Sequence, residues 1–85
     1  MSMVIELIAA VSNAERQIND QISKLHSYQG EIENVLQRVN AAFYGSTNQY
    51  GQNMIDQLTH TKQQVGDTIS RLQNAKEKLI QVRMI

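Results

Sequence analysis

His26 and His60 are the only histidines in this 85-residue chain, and their imidazoles are the side chains best suited to bind a metal or move a proton near neutral pH. A metal site needs further His, Cys or carboxylate ligands converging on one point, and the chain has no cysteine to contribute. If the two halves of the chain fold back on each other, the histidines stand about seven residues apart along the pair. That is near 10 Å at the helical rise, too far to share an ion. The same arrangement brings His26 towards Asp67 and His60 towards Glu33, which are expected to be surface pairs. No nucleophile and base occur at catalytic spacing. Gly45 and Gly51 make no phosphate-binding loop, since no strand precedes them and no lysine follows in a Walker-like position. The reading is of a protein that is not an enzyme, with no catalytic residue, cofactor, metal or small-molecule substrate.

Charge narrows the partners further. Lys plus Arg equals Asp plus Glu at eight each, dispersed along the chain, so no basic face is available to track a phosphate backbone, and nucleic acid is not expected. The run Met3–Val11 is apolar but contains Glu6, has no basic region before it and is far shorter than the roughly 20 residues that span a bilayer. It reads as the first turns of a core-facing helix, the alternative being a signal peptide or a membrane-surface anchor.

The elements that carry these residues follow from a seven-residue repeat. Val4, Val11, Ile18, Leu25, Ile32 and Val39 are all apolar, and the row four residues on (Ile8, Glu15, Ile22, Gln29, Leu36, Phe43) is apolar at four of six, with soft spots at Glu15 and Gln29. A first helix is therefore predicted over residues 3–43, with Gly30 inside it as a weak point or a close helix contact. The pattern resumes with Leu58, Val65, Leu72 and Leu79, flanked by Met54, Ile55, Ile69, Ala75 and Val82, predicting a second helix over 50–83. Lys62 and Lys76 stand where Ile would complete its stripe; their stems can cover apolar surface while the ammonium reaches water.

Between them, residues 44–49 are expected to turn. Gly45 tolerates positive φ, and Ser46, Thr47 and Asn48 can cap helix starts. Two long helices with a short connection fold back antiparallel, setting Leu36 opposite Leu58, Ile22 opposite Leu72 and Val11 opposite Val82. Three of the four aromatic residues, Phe43, Tyr44 and Tyr50, flank this turn and are placed to stack over the hairpin's end or to touch a partner. Phe43 continues the seam and is the core candidate; Tyr44 lies off it and is the contact candidate.

The fold class is thus all-α, with residues 1–85 forming one antiparallel two-helix hairpin domain. A hairpin has no third layer, so pairing into a four-helix bundle is expected. Ile18, Ile22, Leu25, Ile32, Leu36 and Val39, with Leu58, Val65, Ile69, Leu72 and Leu79, are the residues expected to form the hairpin and partner core. The partner is a protein, either a second copy or another helical chain.

The turn also resembles that of the WXG100 (ESAT-6-like) superfamily of small helical hairpins exported by type VII secretion systems. Phe43-Tyr44-Gly45 stands in the place of Trp-x-Gly, Ser46 and Thr47 in that of the small residues, and Tyr50 in that of the following aromatic. The family's C-terminal Tyr-x-x-x-Asp/Glu export signal has no counterpart, because no aromatic residue here is followed four positions later by an acid. The resemblance therefore implies a member that relies on a partner carrying the signal, like the helical companions of LXG-type toxins. It would bind the toxin's helical N-terminal domain as co-secreted subunit or targeting chaperone. It would be cytoplasmic before export, then secreted without a cleavable signal peptide, meeting membrane only through the secretion machine. The alternative reading is a structural coiled-coil subunit unrelated to secretion.

Overall fold

Ser2 starts the first helix. Its backbone is extended (φ −71°, ψ 130°) and its hydroxyl oxygen accepts from the Val4 N–H at 3.1 Å, which satisfies one of the donors that a first turn leaves free. In the computed structural model, which describes residues 2–84, helix α1 then runs unbroken over Met3–Ala42. The chain turns through residues 43–48, and helix α2 spans Gln49–Met84. These bounds lie within one residue of those expected from the repeat.

The turn is built as its residue types suggest. Phe43 donates its N–H to the Val39 carbonyl at 3.0 Å, ending α1, and Ser46 N–H donates back to the Phe43 carbonyl at 2.9 Å. Gly45 between them takes φ +73°, the only positive φ among the described residues. Asn48 caps α2: its Oδ1 accepts from Tyr50 N–H at 2.8 Å and from Gly51 N–H at 3.4 Å. Ser46 Oγ holds Asn48 in place by accepting its N–H at 3.0 Å.

Gly30 does a different job from Gly45. It is exposed in mid-helix, and a Cβ there would meet nothing within 4 Å, so the close helix contact anticipated at this position is absent. Gly30→Ala should therefore raise the melting temperature, by an amount equivalent to about 1 kcal/mol of helix propensity. Gly45→Val should lower it by about 1–2 kcal/mol, because a β-branched residue is strained at positive φ. Equal shifts from the two substitutions in urea titrations would contradict this assignment of roles.

The two helices pack along their length into a rod 67 Å long and about 15 Å across. Ile32, Leu36, Val65 and Ile69 form its buried centre, with Ile22, Leu25, Ile55 and Leu58 partly covered around them; Val11 is buried nearer the open end. Among the described residues no side chain is fully enclosed. The chain exposes 6600 Å², against about 5,100 Å² for a typical folded monomer of its mass.

The first turns of α1 depart from expectation. Met3–Val11 is helical, but Met3, Val4, Ile5, Leu7 and Ile8 are 83, 61, 54, 51 and 42% exposed, so the run is not core of the hairpin. Only Val11 reaches the interior. Two thin helices can cover just one stripe of each other, and residues to either side of that stripe stay in water.

Candidate partner-binding surface

The seam that joins α1 to α2 uses two rows of each helix. On α1 these are the rows through Val11 and Leu36; on α2 they are the rows through Val65 and Ile69. Rows lying one step outside the seam define two broad sides of the rod, because antiparallel right-handed helices turn their equivalent flanks the same way. Leu7 and Val82 line one groove and mark the first side. Asn19, Gln73 and Ile80 line another and mark the second.

The first side carries Leu7, Ala14, Gln21, Tyr28, Val35 and Ala42 from α1, and Met54, Thr61, Thr68, Ala75 and Val82 from α2. None of these eleven residues is charged. Leu7, Tyr28, Val35, Met54 and Val82 are 43–51% exposed, and half-buried seam residues such as Ile18, Leu25, Leu58 and Leu72 show between the rows. Charged residues reappear at the rim, at Lys24, Glu31, Arg38, Arg71 and Lys78, all exposed, and at the open end, where Arg83 lines the groove beside Leu7 and Val82. An uncharged centre within a charged rim is the layout of a protein interface.

The second side is closed by polar contacts. Lys62, on the α2 seam, pairs with Glu33, each about two-fifths exposed. The carboxylate expected to face His60 is thus taken by Lys62; His60 and His26 are exposed, and neither belongs to an ion pair among the described residues. The soft spots of the α1 seam both find an answer on α2. Arg83 Nη1 donates to Glu15 Oε2 at 3.2 Å and stands 3.0 Å from Oε1, which has no hydrogen bond of its own. Glu15 is only 13% exposed, so Arg83 reaches in over the seam to meet it. Gln29 lies across Gly66, where a Cβ would come within 3.2 Å of its Nε2.

Of the residues assigned to the core from the repeat, Ile32, Leu36, Val65 and Ile69 are used up inside the hairpin. Ile18, Ile22, Leu25, Val39, Leu58, Leu72 and Leu79 are half-buried, with edges left open. At the turn, Phe43 folds its ring over Gly51, which is buried beneath it, while Tyr44 and Tyr50 are 92 and 83% exposed. Phe43 alone closes the end of the hairpin; the expected stacking of Tyr50 over it does not occur. Sequence reasoning missed Gly51 and the uncharged flank rows. The latter were legible as a second seven-residue repeat beside the seam.

Among the described residues no three metal-ligating side chains gather, and no helix is long and apolar enough to cross a membrane. No family model, curated protein or solved structure matches the chain.

Proposed function

We propose that this chain is a non-enzymatic, WXG100-like protein of a type VII secretion system, which dimerises or binds the helical N-terminal domain of a secreted toxin. It acts there as co-secreted partner or targeting chaperone. The observation that carries the reading is the long uncharged face beside the seam, a surface that a lone hairpin leaves wet and that further helices can cover. The turn adds support. Gly45 uses the positive φ that a Phe-x-Gly turn demands, and Phe43 seals the closed end as the aromatic of such a turn would.

The test is made with the tagged full chain in a Gram-positive host that carries a type VII machine, with its motor ATPase present or deleted. The protein should reach the medium only when the ATPase is present, and should copurify with a toxin's helical domain. Retention in the cell in both strains, with no toxin recovered, would favour a structural coiled-coil subunit unrelated to secretion.

A further inference from the structure

We infer that the open end of the hairpin is a gate latched by Glu15 and Arg83: the last turns of α2, residues 72–84, part from α1 and close again while the half next to the turn stays paired. The inference concerns the chain by itself and holds whatever partner the chain takes.

The core is uneven along the rod. Ile32, Leu36, Val65 and Ile69, with Ile22, Leu25, Ile55 and Leu58 around them, lie between the turn and the level of Ile22 and Ile69. Past that level, Val11 is the one buried side chain among the described residues, and Leu72, Leu79 and Ile80 of α2 are only half-buried. A segment bound to the rest of a fold by few buried contacts opens separately from it.

The seam also changes character there. The α2 row through Ile69 reads Ile55, Lys62, Ile69, Lys76 and Arg83, so towards the open end it turns cationic. On α1 the facing row has Ile8, Ile22 and Leu36 but carries Glu15 between the first two. The Glu15–Arg83 pair therefore stands inside the seam, in the place of two aliphatic residues. Glu15 is 13% exposed and its Oε1 accepts no hydrogen bond, whereas the Arg83 side chain is 39% exposed. A half-satisfied buried carboxylate holds two helices less firmly than packed aliphatic side chains of the same volume, yet losing its cation is costly. Such a contact fastens the end without fixing it.

Arg83 has a second hold. It lines the apolar groove with Val4, Leu7, Ile8 and Val82, so its departure from Glu15 loosens polar and apolar cover together. The opened α1 presents Val11 and Ile18 with the Glu15 carboxylate between them.

The experiment is native-state hydrogen exchange on the full chain, resolved by segment, with circular dichroism to confirm that each variant keeps its helices. In wild type, residues 11–18 and 74–82 should exchange together, at least about 100-fold faster than residues 32–36 and 65–69. Ile32→Val, in the closed half, should speed exchange there about 5-fold and leave both open-end segments unmoved, because they exchange with that half still folded. Arg83→Met keeps an apolar stem but leaves the carboxylate alone, and should speed the open-end segments about 10-fold. Glu15→Leu restores the aliphatic row and should slow them about 10-fold; in that background Arg83→Met should have little further effect. An Ile32→Val change that speeds the open end equally would make the rod one cooperative unit and overturn the gate. Exchange that quickens only along α2 towards Met84, with residues 11–18 as protected as the centre, is end fraying and overturns it too. Open-end rates unmoved by Arg83→Met, or not slowed by Glu15→Leu, overturn the latch.

Discussion

Ile69→Asp should abolish most of the helical circular dichroism of this protein at room temperature. Ile69 is 5% exposed, and with Ile32, Leu36 and Val65 it makes up the buried centre of the hairpin. A carboxylate placed there has no cation beside it: Lys62 and Lys76 share its row but stand seven residues away, about 10 Å along the helix, and Lys62 already serves Glu33. An unpaired buried charge costs about 3–5 kcal/mol, and among the described residues the hairpin's own core has five buried side chains. Helices of this length depend on tertiary cover for most of their stability, so losing the seam melts them. Ser70→Asp, one residue on and exposed, should leave the spectrum unchanged. Leu25→Asp, at a half-buried position, should fall between the two. Were Ile69→Asp to melt like wild type, the seam would run through other residues.

The second large effect is expected at Gly51, where the usual ranking of helix residues should invert. Alanine in place of glycine inside a helix ordinarily stabilises by about 1 kcal/mol. At Gly51 a Cβ would stand 2.5 Å from Phe43 Cδ1 and 2.6 Å from Cγ, so the ring must swing away and uncover the closed end. Overpacking of this kind costs about 1–3 kcal/mol, and Gly51→Ala should lower the urea midpoint accordingly. In a Phe43→Ala background the obstruction is gone, and the same Gly51→Ala change should raise the midpoint. The reversal of sign is the diagnostic, since it isolates the coupling between two residues eight apart in sequence. A stabilising Gly51→Ala in both backgrounds would mean the ring does not rest there.

Much of this architecture could be read from the chain because a helical hairpin is specified by local signals. The unbroken row from Val4 to Val39 gave α1 its length, and Gly45, Ser46 and Asn48 marked the reversal by their conformational and capping chemistry. What escaped was the choice among rows. Apolar residues at Met3–Ile8 looked like core because hydrophobicity alone does not say which stripe a neighbour covers, and two helices cover only one. The pairing of Glu33 with Lys62 in place of His60 escaped for a related reason. Helical side chains lean towards their own N-terminus, so partners across an antiparallel pair are displaced from those found by counting from the turn. Gly51 carried no signal of its own; its meaning came only from the ring that lies on it.

Gln29 interrupts the apolar seam and Glu33 flanks it, yet with their partners on α2 they resolve an ambiguity that the seam itself cannot. A repeat of seven is blind to slippage by seven: sliding α2 by two turns along α1 would still set aliphatic residues against aliphatic residues. The polar positions are not so forgiving. Moved one repeat in either direction, Glu33 would face Ile55 or Ile69 where Lys62 now stands, and Gln29 would be driven against Thr59 or Gln73 where Gly66 leaves it room. The tight turn ties the helices at one end, and these contacts act as detents along the rest of the rod. Each slipped alignment strands a carboxylate, so a chain with little core to spare settles in one register.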